Sequence, residues 1–169
     1  MEQSQTESEE IIACEVGDKE LAKFHLKING SDWYQTVFRL GRPIYASQLV
    51  GFLRGCDIIA YKKKDGELMG ILGIYNRNPR DVSCEILSVL FRDPGDVVRI
   101  EVIKKFINWC FEQAGIRKLK VIFFTNDICV DEFKTAGFVV EGNLKKEIFT
   151  NKKFRDVVVM GLVNDNYGE

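Results

Sequence analysis

The sequence predicts a single α/β domain with a mixed sheet of about seven strands and about four helices. The length of 169 residues fits one domain of the usual size. Hydrophobic residues make up 46% and charged residues 29% of the chain, close to the averages of soluble globular proteins. This composition excludes a disordered chain. Hydrophobic periodicity then gives the element order β α α β β β α β α β β.

Local patterns in the first half of the chain predict four strands and two helices. Asp32 and Ser47 are favourable N-caps for the two helices. The pair Asp65-Gly66 is a hairpin signal between two of the strands. The predicted elements, in chain order, are a strand at 24–28, helices at 33–40 and 47–54, and strands at 58–62, 68–75 and 83–91.

The second half is predicted to contain the most regular helix of the chain and three strands. Polar residues along this helix recur every three or four positions and form one solvent-facing stripe: Glu101, Lys104, Lys105, Asn108 and Glu112. The predicted elements are helices at 97–114 and 128–136 and strands at 119–125, 138–149 and 154–163. Because strands 83–91 and 119–125 flank the long helix, they form a βαβ unit and are expected to be parallel neighbours.

Charge and composition restrict the expected partners. Lysine and arginine total 24 and aspartate and glutamate 25, so the basic excess of a phosphate-binding nucleic-acid protein is absent and no nucleic acid is expected. No apolar run reaches the roughly 18 residues that span a bilayer, so no membrane partner is expected. The acidic residues 1–10 are interpreted as a disordered leader, followed by a single domain at 11–169.

The five cysteines and one histidine do not form a metal-binding pattern. The cysteines include no CxxC pair, so neither a zinc site nor another metal site is expected. An odd number of unpaired thiols is typical of buried, reduced cysteines in a cytoplasmic protein. His25 has no catalytic partner nearby in the sequence and is interpreted as a packed or surface residue.

One strand-to-helix turn has the features of an anion site. Residues 91–97 read Phe-Arg-Asp-Pro-Gly-Asp-Val and connect a predicted strand to the long helix. The free amides and the positive dipole end at a helix N-terminus favour phosphate at such a turn. Glycine and proline also serve turn geometry alone, so this pattern by itself is weak.

The motif Arg92-x-x-Gly95-x-Val97 resembles the diphosphate-binding turn of the GNAT acetyltransferases, with a departure at the last position. Asn126, six residues before the segment 132–138, matches the asparagine and the Gly-Phe strand start of that superfamily. The C-terminal stretch resembles the branch of ribosomal-protein and spermidine N-acetyltransferases. The likeness covers residues 20–165 in element order and is motif-specific over 80–165.

The resemblance implies a GNAT-like domain whose central parallel pair is splayed, with acetyl-coenzyme A as co-substrate lying between strands 83–91 and 119–125. It implies that backbone amides of the turn and helix start hold the diphosphate, that an amide near Leu90 contacts the thioester carbonyl, and that Asn126 contacts the pantetheine arm or a water. The implied cofactor-binding residues are Leu90, Arg92, Gly95, Asp96, Val97, Val98, Arg99 and Asn126.

Glu85 is the candidate catalytic residue. It lies within the apolar run of strand 83–91, where partial desolvation makes a carboxylate a stronger base. In the reaction implied by the resemblance, Glu85 takes the proton of a primary amine that attacks the thioester directly, in contact or through a water. The alternative is that Glu85 pairs with a lysine or lies at the wet end of the strand.

Three departures from the family pattern count against turnover. The usual tyrosine acid falls on Phe133, which has no proton to give, and the usual serine falls on Cys129, a weak donor. Asp96 is expected to cap the long helix, where its carboxylate would compete with a diphosphate for the same amides. Cys129 could also be a thiol nucleophile at a helix start, although a packed cysteine is favoured.

Two hypotheses follow. The first is a cytoplasmic N-acetyltransferase that acts on a primary amine of a peptide N-terminus, a polyamine or a small antibiotic-like molecule. The alternative is a GNAT-like acyl-coenzyme A or ligand-binding module without turnover. A nucleic-acid or partner-binding domain with no cofactor is least favoured by the charge balance. The family often pairs through sheet edges, which makes a homodimer an expected assembly, and the sequence does not name the acceptor amine.

Overall fold

The computed structural model describes residues 12–14, 17–28, 46–62, 66, 68–90, 96–150 and 152–168. These residues form seven strands and four helices. In chain order they are β1 (Ile12–Cys14), α1 (Asp18–Ile28), α2 (Ala46–Leu53), β2 (Asp57–Lys62), β3 (Leu68–Asn78), β4 (Ser83–Leu90), α3 (Asp96–Glu112), β5 (Lys118–Phe124), α4 (Cys129–Thr135), β6 (Val139–Thr150) and β7 (Lys153–Val163).

All seven strands belong to one mixed sheet in the order β1-β2-β3-β4-β5-β7-β6. The pair β4–β5 is parallel, and every other neighbouring pair in this order is antiparallel. The parallel pair is joined through α3, as a βαβ unit requires. The predicted α/β fold class, with its mixed sheet and central parallel pair, is therefore confirmed.

The predicted solvent stripe of α3 is confirmed. All five polar residues of the stripe are exposed, whereas Val102, Ile103, Phe106 and Cys110 on the opposite side are buried. With 17 residues, α3 is the longest of the described helices. None of the helices in the described part of the chain is both long enough and apolar enough to cross a membrane.

Both faces of the sheet are covered by helices. The main core joins α3 and α4 to alternate residues of the central strands, including Ile86, Val121 and Met160. A second set is buried outside this cluster: Leu21, Phe24 and Leu53 from α1 and α2, with Ile71 and Leu87 from the strands. Ile71 and Leu87 alternate with main-core residues along β3 and β4, so they point to the opposite face, where α1 and α2 lie.

The N-terminal part of the prediction is wrong in one element. Residues 24–28 were expected to form a strand, but they are the end of helix α1. Leu21 and Phe24, three positions apart, are both buried, so the helical period of the longer segment decides the structure. Five residues are too few to separate a period of 2 from one of 3.6. The short strand β1 was not predicted, and the helix predicted at 33–40 lies outside the described residues.

Candidate cofactor cleft and carboxylate site

Strands β4 and β5 separate part-way along their length. Their parallel register runs from Ser83–Lys118 to Glu85–Lys120 and then ends within the described residues. Both strands continue: β4 stays paired with β3 up to Leu90, and β5 stays paired with β7 up to Phe124. We call residues 83–85 with 118–120 the closed end, and residues 86–90 with 121–124 the open end. The facing backbone groups of the open end lack the strand-to-strand bonds of a continuous sheet.

The open end leads to the start of α3. Leu90 is the last residue of β4, and Asp96, Val97 and Val98 begin the helix. The first four amides of a helix have no partner within the helix, so this end presents donors and a positive dipole end. Val97 is 73% exposed, which leaves the backbone of the first turn accessible. Arg92, Gly95 and the side chain of Asp96, including its predicted capping role, lie outside the described residues.

The side chain of Arg99 is buried in an ion pair rather than presented to the open end. Its Nε donates a 2.7 Å hydrogen bond to Glu132 Oε1 on α4, and its Nη2 donates to the same oxygen. Arg99 is 3% and Glu132 4% exposed. The other carboxylate oxygen, Glu132 Oε2, is buried and has no hydrogen-bond partner among the described residues. Two nitrogens of the Arg99 guanidinium are therefore bonded to Glu132, while its backbone amide lies in the first turn of α3.

Ser88 lies in the open-end segment of β4 and is 7% exposed. Its Oγ is buried and has no hydrogen-bond partner within the part of the chain that the structure describes. Buried hydroxyls are nearly always hydrogen-bonded, and an unsatisfied one costs roughly 1–3 kcal/mol. A bound group that supplies a partner would remove this cost.

Asn126 lies at the same edge of the sheet as Leu90. It is exposed in the turn between β5 and α4, two residues after β5 ends. The carboxyl ends of parallel strands meet at one edge, and ligands of open α/β sheets bind outside that edge. The topology thus places four of the predicted cofactor positions, Leu90, Val97, Val98 and Asn126, at the same edge of the sheet.

Glu85 lies at the closed end, away from those four residues. Its Oε2 accepts a 3.0 Å hydrogen bond from the Tyr75 hydroxyl, and its Oε1 accepts a 2.8 Å bond from Asn76 Nδ2. Asn76 has a φ of +49°, in the left-handed region that asparagine tolerates better than most residues. This conformation occurs at a register irregularity of β3 between Tyr75 and Asn78. Two neutral donors therefore fix the direction of the Glu85 carboxylate.

A polar cavity of about 350 Å³ opens beside this carboxylate. Its charged lining residues are Glu85, Arg77 and Lys120, and its neutral ones include Asn76 and Ser83. Lys120 is the register partner of Glu85 on β5, so an ammonium group and a carboxylate line the same cavity. No group of three or more histidine, cysteine, aspartate or glutamate side chains in the described part of the chain could hold a metal ion. The lining is suited to a small polar molecule.

The five-residue step from Glu85 to Leu90 along β4 sets a distance limit. At about 3.3 Å per residue, the two backbone positions are about 16 Å apart. A general base must lie within about 3 Å of the proton it takes, or act through one water. A carbonyl bound at the Leu90 amide would thus be outside the reach of Glu85. A ligand anchored at the start of α3 that extends along the opening has its far end at Glu85.

Phe133 is part of the core. It is 1% exposed, and its ring makes edge contacts with Phe123, at a centroid distance of 5.0 Å, and with Phe138, at 5.1 Å. Gly137, with a φ of +108°, makes the turn that brings Phe138 back over α4. The position where the family resemblance places a tyrosine therefore contains an apolar ring.

Cys129 is a packed thiol. Burial is the main cause that raises its pKa well above the usual value, and the carboxylates of Asp127 and Glu132 add to the effect. A thiol held protonated in this way is a poor nucleophile. The structure therefore favours the packed cysteine over the nucleophile.

Two features of the site were missed by the sequence prediction. The pairing of Glu132 with Arg99 joins residues 33 positions apart in the chain, and the unpartnered Ser88 hydroxyl depends on tertiary contacts that no local pattern records. Arg99 did carry a signal, because it does not fall on the solvent stripe of α3. A charged residue off the stripe of an amphipathic helix indicates a buried partner.

Comparison with known structures identifies the architecture. A crystal structure of spermidine N-acetyltransferase from Vibrio cholerae, in complex with coenzyme A and spermine, matches with a TM-score of 0.81 over 94% of this chain and 98% of that chain, at 17% identity. This chain has the GNAT acetyltransferase fold. The resemblance noted in the motifs therefore extends to the whole sheet and its helices.

Two further matches agree with this fold. Mutant forms of the spermidine/spermine N-acetyltransferase SpeG from Vibrio cholerae match with a TM-score of 0.76 at 19% identity, over 94% of this chain and 97% of that chain. A chimera of SpeG and hSSAT matches with a TM-score of 0.77 at 16% identity, over 93% and 97%. No protein-family model matches the sequence, and no curated protein sequence does.

Proposed function

We propose that this GNAT-fold protein is an N-acetyltransferase that transfers an acetyl group from acetyl-coenzyme A to a primary amine by direct attack in a ternary complex. The observation that supports it best is the separation of β4 from β5 after Glu85 and Lys120, next to the exposed first turn of α3. A continuous sheet would have no such opening. The separation offers unpaired strand edges and helix amides to one elongated ligand.

The residues of the opening fit coenzyme A. Its diphosphate suits the amides and dipole end of α3, and its amide-containing arm suits unpaired strand edges and the buried Ser88 hydroxyl. When bound, acetyl-coenzyme A supplies an acyl thioester. The residues proposed to hold it are Leu90, Arg92, Gly95, Asp96, Val97, Val98, Arg99 and Asn126, with Ser88 added from the structure.

Glu85 is the proposed general base. Tyr75 and Asn76 hold its carboxylate in place, and the adjacent cavity gives an amine access to it. An acceptor amine is protonated at neutral pH and must lose a proton before it can act as a nucleophile. Glu85 accepts that proton. Because Glu85 is about 16 Å from Leu90, we place the reacting group near the closed end and assign Leu90 to the arm.

The side chains at the two usual acid positions of the family do not donate a proton here. Phe133 has none, and Cys129 is a half-buried, weak donor. Solvent is therefore the proposed proton source for the leaving thiolate. A coenzyme A thiolate is a good leaving group without an acid, so this departure lowers the rate without abolishing the reaction.

A polyamine is the proposed acceptor. The matched Vibrio cholerae enzymes are named for spermidine and spermine, and the cavity of this chain places a fixed carboxylate where a cationic amine would enter. A peptide N-terminus shares the primary amine but adds a carbonyl next to it. The two acceptors are distinguished by measuring acetylation of spermidine and of a short unblocked peptide at equal concentration.

The test combines cofactor binding with thiol release. Millimolar acetyl-coenzyme A is expected to raise the melting temperature of the purified protein, since a ligand that binds only the folded state stabilises it. An amine panel should then release free thiol. Binding without thiol release for any amine supports the module without turnover, which the buried Phe133 also favours. The absence of any melting shift contradicts both.

A further inference from the structure

A buried ion pair connects the two helices that follow the separated strands. Arg99 is the fourth residue of α3, and Glu132 is in the middle of α4. Both residues are more than nine-tenths buried. Two nitrogens of Arg99, Nε and Nη2, donate hydrogen bonds to the same oxygen, Glu132 Oε1. The contact therefore has a specific geometry rather than the loose geometry of a surface ion pair.

The pair joins the two helices that follow the separated strands in the chain. Helix α3 continues the chain from β4, and α4 continues it from β5, so the ion pair links the continuations of the two separated strands. Residues beside both ends of the pair belong to the core that includes β4 and β5. Phe133, next to Glu132, packs edge-on against Phe123 of β5. Val102, one turn after Arg99, belongs to the same buried cluster as Ile86 of β4.

A buried ion pair is not in itself a strong source of stability. Replacing a buried ion pair with apolar residues of similar volume is often neutral or stabilising, because the removal of two charges from water is costly. Glu132 Oε2 adds to that cost, since it is buried without a partner among the described residues. A buried and half-satisfied polar group in a native structure calls for a role beyond stability.

We propose that the Arg99–Glu132 pair fixes the separation of β4 and β5 at the open end, and thereby determines the affinity of the protein for coenzyme A. Both residues act as positioning residues through the strands, and neither side chain contacts the cofactor. The inference rests on the proposed function, because it assumes that coenzyme A is the ligand of the opening.

The decisive variant is the double substitution Arg99→Met with Glu132→Leu. It removes both buried charges, keeps the side-chain volume similar and leaves the backbone amide of residue 99 intact. The single substitution Glu132→Leu would leave a buried guanidinium without its partner and is expected to unfold at a lower urea concentration. Ile116→Ala, a core truncation just before β5 at the closed end, is the matched control for a general loss of packing.

Calorimetric titration with coenzyme A and urea unfolding are measured together. The double variant is expected to keep or raise the urea midpoint while its Kd for coenzyme A rises about tenfold. Ile116→Ala is expected to lower the urea midpoint and leave the Kd within about twofold. A double variant that is as stable as the wild type and binds coenzyme A equally well would overturn the proposal.

A second measurement does not depend on the cofactor. Ligand-free crystal structures of the wild type and the double variant give the separation of β4 and β5 directly. The distance between residues 86–90 of β4 and residues 121–124 of β5 is expected to change by about 1 Å in the double variant, while the register of the closed end stays the same. No change there overturns the inference even if the wild type fails to bind coenzyme A. If the separation changes in the double variant but the wild type does not bind coenzyme A, the proposed function is contradicted instead.

Discussion

The two ends of β4 differ in how their polar groups are satisfied. At the closed end, β4 pairs with β5, and both oxygens of Glu85 accept hydrogen bonds. At the open end, β4 no longer pairs with β5, and the buried Ser88 hydroxyl has no partner among the described residues. A satisfied carboxylate is pre-organised for chemistry, and an unsatisfied hydroxyl is prepared for a ligand. We therefore propose catalysis at the closed end and cofactor binding at the open end.

The largest expected effect of a substitution tests the closed end. Glu85→Gln keeps the shape of the side chain but removes the proton acceptor. We expect kcat/KM for the acceptor amine to fall about a hundredfold, while the Kd for coenzyme A is unchanged. Steady-state kinetics and calorimetry measure the two quantities.

The matched control is Glu141→Gln. Glu141 is on β6, and although it pairs with Lys118 of the closed end, neither residue lines the cavity beside Glu85. The substitution Glu141→Gln should leave kcat/KM for the acceptor amine unchanged. If Glu85→Gln lowered the affinity for coenzyme A and spared turnover, the assignment of the two ends would be reversed.

Alkaline pH tests the thiols packed at the closed end. Burial raises the pKa of Cys84 from 9.0 to about 12 and raises that of Cys110 further. The unfolded chain loses these protons near pH 9 while the folded chain keeps them, so the unfolded state binds fewer protons and stability falls as pH rises above 9. We expect a loss of about 1 kcal/mol per thiol by pH 10, measured by urea unfolding.

The control for this pH dependence is Cys84→Ala. The variant is less stable at every pH because it leaves a small cavity, but its stability should fall less steeply between pH 9 and 10. An equal slope in the variant and the wild type would show that Cys84 is not held protonated by the fold.

How far the sequence predicted these features depends on the range of the interactions involved. The helical periodicity of α3 and the strand–helix–strand order around it predicted the parallel pair. Both signals are local and extend over many residues. Helix α1 was mistaken for a strand because residues 24–28 fit either period. The unpartnered hydroxyl of Ser88 and the pairing of Arg99 with Glu132 were not predictable, because both depend on the packing of residues that are distant in sequence.

A smaller effect is expected at the open end. Ser88→Ala removes a buried hydroxyl that has no partner, so the free energy of unfolding should stay equal or rise by up to about 1 kcal/mol. The Kd for coenzyme A should rise about fivefold, through the loss of one hydrogen bond. Urea unfolding and calorimetry give the two values.

Ser83→Ala is the matched control, because Ser83 is a buried serine of the same strand at the closed end. Its Kd for coenzyme A should equal that of the wild type. Equal effects of the two serine substitutions on the Kd would remove the distinction between the ends.

The smallest expected effect concerns Cys129. Because burial keeps its thiol protonated, Cys129→Ala should change kcat by less than about twofold. Thiol release measured at saturating cofactor and amine is the readout. A hundredfold loss would instead restore the nucleophile hypothesis for this residue.

Amide hydrogen exchange with and without coenzyme A tests the central claim most directly. If the separated strands hold the cofactor, coenzyme A should slow exchange at residues 86–90 and at the first turn of α3, and leave residues 83–85 unchanged. Slower exchange confined to another part of the sheet, or none at saturating coenzyme A, would contradict the assignment of the opening as the cofactor site.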